Sequence, residues 1–289
     1  MVRYGIIAHG GAGTSEDFVE GVKTAVETGF SMLKNGARAL KAAVEAVRIL
    51  EDDGRYNAGS GSLLRLDGHT IEMDAAVMDS AGTLGTVSAI RCVKNPVLVA
   101  LGVSKSPHVM LAGQGAEAFA RHLGFPSFYH VSSRALDSFN QLRELVRSGR
   151  LEKMNPRWKN VGLPALALDT VGAVALDRRG KFAVATSTGG ASPMIAGRVG
   201  DTPVIGCGFY AGNSGAVCAT GLGEKIIRQM LAWRVYDMMG TGSNPVTACE
   251  KGVGLFPDDI PVGIIGLSRE GYSAASNRKM VRYALLKED

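Results

Sequence analysis

The tetrapeptide Asp169-Thr170-Val171-Gly172 restricts most strongly how this chain can fold. The residues on either side of Arg178-Arg179-Gly180 are typical of strands, so 171–177 and 181–187 predict a β-hairpin. Thr170 then stands at the first residue of a buried strand. A threonine within a chain is a poor nucleophile, but a cut before Thr170 gives its hydroxyl a free α-amine as general base. The fold must therefore present this strand start where cleavage can expose it.

Three glycine-punctuated segments follow the hairpin and supply other groups that acyl transfer needs. They are Ser187-Thr188-Gly189-Gly190, Gly197-Arg198-Val199-Gly200-Asp201 and Ala219-Thr220-Gly221-Leu222-Gly223-Glu224. They contain hydroxyls, backbone N–H groups and one cation–anion pair that suits a zwitterionic small molecule. The 38 glycines of the chain demand many tight turns or close backbone approaches, which fits an α/β or α+β enzyme better than a helical bundle.

Composition excludes several other classes of protein. A hydrophobic content of 46% over 289 residues is enough for a sizeable core. The net charge of +5 comes from scattered basic residues, which argues against a nucleic-acid surface. The chain shows no signal peptide and no apolar run of about 20 residues, so we expect a cytoplasmic protein without a membrane contact. Four cysteines without a CxxC pair predict buried free thiols, and the histidines lack metal-ligand spacing.

Periodicity and turn residues predict the remaining elements. A strand ends at His9-Gly10-Gly11-Ala12-Gly13, and Pro96 begins a helix at its tolerated first position. A polar stretch at 127–168 is predicted to be a mobile linker that contains a helix at 135–147. Other predicted helices cover about 18–33, 40–53, 114–123 and 223–238, and other predicted strands cover about 71–77, 86–93, 216–219, 261–267 and 272–275. The packing residues expected of the 223–238 helix are Ile226, Ile227, Met230, Leu231 and Trp233.

Three upstream motifs, together with the segment 169–224, carry a resemblance to a known family. The motifs are His9-Gly10-Gly11-Ala12-Gly13, Asn57-Ala58-Gly59-Ser60-Gly61 and Met73-Asp74-Ala75-Ala76-Val77-Met78-Asp79. The chain resembles the plant-type L-asparaginase/isoaspartyl peptidase family of N-terminal nucleophile hydrolases over nearly its whole length. The resemblance implies an α+β fold, a four-layer αββα sandwich, formed by a single domain over 1–289. It also implies autoproteolysis into an α-subunit, 1–169, and a β-subunit, 170–289.

The resemblance also implies a substrate and the residues that act on it. The substrate would be a small molecule, L-asparagine or a β-aspartyl dipeptide, whose side-chain amide Thr170 attacks. Thr188 would hydrogen-bond the nucleophile's hydroxyl and amine, and the Thr220 hydroxyl with the Gly221 N–H would form the oxyanion hole. Asn57 would support the amine and the oxyanion region.

Substrate recognition and assembly are further implications of the resemblance. Arg198 would hold the substrate α-carboxylate and Asp201 its α-ammonium; the planar guanidinium suits a carboxylate. The family forms homodimers of cleaved protomers, needs no catalytic cofactor and binds a structural sodium ion. Backbone carbonyls would coordinate the sodium: those of Leu50, Glu51, Asp53, Tyr56, Ala58 and Ser60.

The match departs from the family at the cleavage site and leaves alternatives open. Position 169 is Asp where many asparaginase-type members have Gly, whereas glycosylasparaginases have Asp-Thr at the cut; Asp169 would by analogy assist cleavage as a base. Against that branch, the chain reads Ser187-Thr188-Gly189-Gly190 where the branch has Asn at the third position. The alternatives are therefore a glycosylasparaginase-like hydrolase and a non-cleaving aspartate-binding protein. A nucleotide site at Gly10-Gly11-Ala12-Gly13 is weaker, since the GxGxxG pattern is missing.

Overall fold

A computed structural model describes residues 1–148, 167–168 and 170–288. Up to residue 148 the chain forms strands, helices and two short 3-10 turns, Glu16–Phe18 and Gly59–Gly61. The elements of this part are β1 Val2–Ala12, α1 Val19–Lys34, α2 Ala39–Asp53, β2 Met73–Asp79, β3 Leu84–Ile90, α3 Pro96–Val103, β4 Met110–Ala112, α4 Gly113–His122 and α5 Ser133–Arg147.

The rest of the described chain is richer in strands. Its elements are β5 Ala167–Leu168, β6 Val171–Leu176, β7 Phe182–Thr188, β8 Ala191–Ser192, β9 Phe209–Gly212, β10 Gly215–Gly221, α6 Gly223–Gln229, α7 Leu231–Gly240, α8 Pro245–Val253, β11 Val262–Ser268, β12 Gly271–Ser276 and β13 Met280–Glu288. The predicted hairpins of β6 with β7 and of β11 with β12 are both confirmed.

The strands of the described ranges form two larger sheets. The first has seven strands in the order β13-β1-β6-β7-β2-β3-β4, and the second has four in the order β12-β11-β10-β9. The β6–β7 hairpin lies between β1 and β2, so segments from before and after Thr170 share one sheet. The mixture of helices with mostly antiparallel strands confirms the predicted α+β class.

The three larger buried apolar clusters of the described residues hold these elements together. Alternate residues of β6 point to opposite faces of the sheet, so Ala175 packs among α1 and α2, whereas Val174 packs against the four-stranded sheet. The third cluster joins the other face of the four-stranded sheet to α7 and α8, through residues such as Val217 and Leu231. Within the described ranges, every helix is too short or too polar to cross a membrane.

Local sequence signals account for several element ends. Gly54, at φ 75°, ends α2 in the left-handed conformation that glycine adopts without a steric penalty. Pro96 starts α3 as predicted, and Asn244 caps α8 by accepting a hydrogen bond from the Thr247 N–H. The cysteines at 207, 218 and 249 are buried free thiols, as predicted, while Cys92 is partly exposed.

The single helix predicted for 223–238 is wrong. Met230 adopts φ 47° and ψ 49°, which ends α6 and starts α7. The break lets the first N–H groups of α7, on Ala232 and Trp233, donate to the carbonyls of Cys207 and Gly206. Met230 and Trp233, expected to be packing residues, are 51% and 38% exposed.

The ends of other predicted elements also change. β3 stops at Ile90 instead of continuing to residue 93, because Cys92 leaves the extended conformation with a φ angle of 54°. Within the strand, Ala89 has a φ angle of 47°, next to a shift in the β2–β3 register. The helix predicted inside the linker is confirmed as α5. Residues 149–166 of the predicted linker and Asp169 lie outside the described residues. Residues 167–168, also predicted to be linker, form strand β5.

Candidate active site

Thr170 lies directly before β6 and is 6% exposed. The β6–β7 register pairs Val171 with Ser187, so one further step along both strands sets Thr170 opposite Thr188. Thr188 is buried, and its hydroxyl accepts a hydrogen bond from the Gly190 N–H at 3.0 Å. The two threonines predicted to act together are therefore neighbours across the end of one hairpin.

A buried histidine lies beside the start of β6. The Gly11 N–H donates to His9 Nδ1 at 3.1 Å, which assigns the ring hydrogen to Nε2. Burial lowers the pKa of His9 to about 3, although the Thr170 backbone favours the protonated ring. His9 is therefore neutral at pH 7. The Thr170 backbone lies near the His9 ring. Among the described residues, however, His9 Nε2 has no hydrogen-bond partner of good geometry.

Thr220 and Gly221 end strand β10 at the same side of the molecule. The buried Thr220 hydroxyl accepts a hydrogen bond from the Ala12 N–H at 3.3 Å. Ala12 is three residues beyond His9, which pairs with Gly172 in the β1–β6 register. The second sheet therefore brings the Thr220 hydroxyl to the end of the first sheet where Thr170 lies.

Two side chains hold the turn that follows Thr188. Asn57 Nδ2 donates to the Gly190 carbonyl at 2.6 Å, and the Gly189 N–H donates to the Asn57 carbonyl at 2.9 Å. From the other side, the fully buried Arg65 donates from Nη1 to the Gly189 carbonyl at 2.8 Å. Asn57 thus contacts the Thr188 turn directly, whereas Arg65 was not identified from the sequence.

Arg198 and Asp201 flank the start of α6. A Cβ added to Gly223 would lie 2.8 Å from Asp201 Oδ1 and 3.0 Å from Arg198 Nη2, so both side chains pack on this glycine. Arg198 donates from Nε and Nη2 to the two carboxylate oxygens of Glu224, each at 2.9 Å. The close ion-pair partner of Arg198 within the described chain is thus Glu224, not Asp201.

Two buried carboxyl groups near Arg198 have unusual pKa values. Burial raises the pKa of Asp201 to about 7, against the opposing attraction of Arg198. Burial also raises the pKa of Asp74 to about 6, although the hydrogen bond from the Ala89 N–H and the charges of Arg65 and Arg198 lower it. Carboxyl groups with perturbed pKa values beside an arginine are typical of functional sites.

Several residues of this site were missed by sequence reasoning. The signal for Glu72 and Asp74 was present at the start of β2, where these two charged residues alternate with apolar neighbours in a buried stretch. For Glu224 the only signal was its place at the end of a glycine-rich motif. The missed residues are Arg65, Glu72, Asp74 and Glu224.

The loop predicted to bind sodium packs tightly on itself. A Cβ at Gly61 would lie 2.0 Å from the Tyr56 carbonyl oxygen and 2.5 Å from that of Gly54. A Cβ at Gly59 would lie 2.7 Å from the Glu51 carbonyl oxygen. A hard cation takes oxygen ligands, so the backbone carbonyls of this loop are of a chemical type that suits one. Sodium coordination by the carbonyls of Leu50, Glu51, Asp53, Tyr56, Ala58 and Ser60 stays a prediction. Side chains of the described residues form no His/Cys/Asp/Glu cluster suited to a metal.

Comparison with known proteins identifies the class to which this architecture belongs. The family model described as Asparaginase matches residues 2–289. The chain is 40% identical to the plant-type L-asparaginase of Pyrococcus horikoshii and 42% identical to that of Thermococcus kodakarensis, in both cases over 98% of this chain and 96% of the relative. It is 43% identical to the mouse isoaspartyl peptidase/L-asparaginase over 78% of this chain and 70% of the relative.

The chain therefore belongs to the asparaginase family that this model describes, whose fold is that of the N-terminal nucleophile hydrolases. This confirms the resemblance drawn from the sequence motifs.

Proposed function

We propose that this protein hydrolyses the side-chain amide of L-asparagine and the β-aspartyl bond of isoaspartyl dipeptides, after cutting its own chain before Thr170. One observation carries the proposal. The hydroxyls of Thr170, Thr188 and Thr220 lie at one end of the two sheets, in a chain whose relatives are named for these activities.

The first stage is self-cleavage. The Thr170 hydroxyl attacks the carbonyl carbon of residue 169, and the bond to the Thr170 nitrogen breaks as that nitrogen takes up a proton. The resulting ester joins residue 169 to the Thr170 side chain, and water hydrolyses it. Asp169, which lies outside the described residues, is positioned in sequence to accept the hydroxyl proton.

The second stage is hydrolysis of the substrate. The free α-amine accepts the Thr170 hydroxyl proton, and the oxygen attacks the side-chain amide carbon. The Thr220 hydroxyl and the Gly221 N–H stabilise the oxyanion, a type of contact whose loss typically costs about 10²–10³ in rate. Ammonia or an amino acid leaves with a proton, and water then clears the aspartyl ester.

Arg198 and Asp201 recognise the amino-acid end of the substrate, that is, its α-carboxylate and α-ammonium groups. The Arg198 guanidinium would bind the substrate α-carboxylate in place of Glu224, whose side chain is 56% exposed and free to turn toward solvent. Asp201 would accept hydrogen bonds from the α-ammonium through Oδ2, a buried oxygen without a hydrogen-bond partner among the described residues. A cation and an anion beside the same glycine, Gly223, favour a zwitterion over a simple amide.

Intact-mass spectrometry tests the nucleophile. Purified protein should split into fragments 1–169 and 170–289, whereas Thr170→Ala should remain one chain and release no ammonia from asparagine. Thr170→Ser keeps a hydroxyl at the same position and is the matched control, expected to cleave slowly. A fully active Thr170→Ala variant would refute the assignment.

Three substrates then separate the candidate activities. Ammonia release from asparagine and leucine release from β-aspartyl-leucine are the expected results. Cleavage of glycosylated asparagine in preference to both would favour the glycosylasparaginase-like alternative. A chain that stays whole and binds aspartate without turnover would be the non-cleaving alternative.

We also propose that the cleaved protomers form a homodimer and that the 50–60 loop binds sodium. Light scattering coupled to size-exclusion chromatography should give twice the 30.3 kDa chain mass. Replacement of sodium by a large organic cation should lower the melting temperature if the ion supports the loop. An unchanged melting temperature would argue against the ion.

A further inference from the structure

Two buried carboxylates lie at the start of strand β2 beside the candidate active site, Glu72 directly before the strand and Asp74 within it. They are two residues apart, and both lie close to Arg65, Glu72 through a hydrogen bond and Asp74 through its charge. Their residues are 2% and 0% exposed. A buried carboxylate is costly unless charges and hydrogen bonds compensate it, so the groups that these two face are informative.

Glu72 contacts the loop that carries Arg198 and Asp201. We call residues 197–201 the recognition loop. Glu72 Oε2 accepts hydrogen bonds from the Gly197 N–H at 2.6 Å and from Arg65 Nε at 3.2 Å. Since Arg65 also donates to the Gly189 carbonyl, one carboxylate links the recognition loop to the turn after Thr188.

Asp74 lies beside the same loop and pairs with Thr188 in the β2–β7 register. Its Oδ1 accepts a hydrogen bond from the Ala89 N–H at 2.8 Å. Its Oδ2 has no hydrogen bond of good geometry among the described residues, but it faces positive charge. The groups that favour the ionised Asp74 carboxylate include the Arg65 and Arg198 charges and the Gly200 backbone. Asp74 therefore lies near the C-terminal end of the recognition loop, whereas Glu72 contacts its start at Gly197.

We propose that Glu72 and Asp74 are positioning residues that hold the recognition loop against the Thr188 turn, with Arg65 as the link between them. They set the affinity for the amino-acid end of the substrate without touching it. Arg65 is fully buried, and its three nitrogens already donate to Glu72 and Gly189, so it does not bind substrate itself. The inference rests on the proposed function of Arg198 and Asp201.

Arg91 provides a matched control because it binds the same carboxylate from outside. Its Nε donates to Glu72 Oε1 at 3.0 Å, and its side chain is 44% exposed. Without Arg91, Glu72 keeps its hydrogen bonds from Arg65 Nε and the Gly197 N–H, and Arg91 itself forms no hydrogen bond with the recognition loop in the described structure. Arg91→Ala should therefore change the KM for asparagine by less than about threefold.

The test compares Asp74→Asn and Glu72→Gln with Arg91→Ala and the parent enzyme. We measure kcat and KM for asparagine, the dissociation constant of L-aspartate by calorimetry, and the rate of self-cleavage. Both carboxamide variants should displace the recognition loop and raise KM and the dissociation constant by about 10–100-fold. This is the range expected when the substrate loses one hydrogen bond to a charged group, here Arg198 or Asp201. The kcat should stay within about threefold, and Asp74→Asn should cleave itself at the parent rate because that reaction uses no free substrate.

Other outcomes separate this inference from the proposed function. If the parent protein binds aspartate but hydrolyses nothing, the proposed activity fails, and the aspartate dissociation constants still test the positioning role. If both carboxamide variants keep the parental KM and dissociation constant, the positioning role is overturned while the activity stands. A variant that only lowers the melting temperature, with unchanged KM, has a structural role alone. Should Glu72→Gln fail to fold, Asp74→Asn decides the matter.

Discussion

Gly172→Ala should destabilise the fold because of the side chains that surround this glycine. A Cβ at position 172 would lie 2.3 Å from Cys218 Sγ and 2.7 Å from His9 Nε2. Both residues are fully buried and lack space to turn away. Since non-bonded heavy atoms are most favourable at about 3.5–4.0 Å, strand β6 would have to shift by about 1 Å. Overpacking of this kind costs about 1–3 kcal/mol, and we expect a loss near the upper end.

The assay is denaturant unfolding in the Thr170→Ala background, in which self-cleavage cannot alter the chain. Gly115→Ala is the control, since Gly115 lies in helix α4 with no heavy atom within 4 Å of its added Cβ. That substitution should stabilise the protein by about 0.5–1 kcal/mol, the usual preference of a helix for alanine over glycine. The two glycines should therefore respond in opposite directions.

A double variant tests the assigned cause. Cys218→Ala removes the sulfur that lies nearest to the added Cβ, so the loss in Gly172→Ala/Cys218→Ala should be smaller than the sum of the two single losses. We expect a coupling above about 1 kcal/mol, as is found for residues in contact. A Gly172→Ala variant within about 0.5 kcal/mol of its parent would refute the packing argument.

Three further predictions concern charge and capping. Burial raises the pKa of Asp201 to about 7, above its ordinary value of about 3.9. The folded state therefore favours the protonated carboxyl group, and this contribution to stability is complete below about pH 4 and is lost as pH rises through about 7. Between pH 4 and 8 the free energy of unfolding should fall relative to that of Asp201→Asn, and a constant difference between the two proteins would contradict the shift. Glu224→Gln removes the ion pair between Glu224 and Arg198 and should tighten aspartate binding to Arg198 by no more than about fivefold, since a partly exposed ion pair contributes at most about 1 kcal/mol. Weaker aspartate binding in calorimetry would show that Glu224 orients Arg198 instead. Asn244→Ala removes the cap of α8 and should cost about 1 kcal/mol in denaturant unfolding, with an unchanged midpoint as the contrary result.

Much of the secondary structure was predictable because its signals are local. The β6–β7 hairpin follows from its own alternation and turn, and Gly54 ends α2 through its own backbone freedom. Met230 shows the limit of such reasoning. Its neighbours in sequence favour a continuous helix, but hydrogen bonds from the start of α7 to the carbonyls of Gly206 and Cys207 stabilise a break at Met230.

The candidate site divides in the same way. The chemical groups of the site can be recognised in the amino-acid sequence, because a threonine at a strand start and an arginine in a glycine-rich loop form motifs. Their partners follow only from the packing of distant segments: Arg65 meets Gly189 across 124 residues, and Glu72 meets Gly197 across 125. A motif expresses local backbone preference, whereas a buried charge takes its partner from whichever distant segment the packing of the sheets brings beside it.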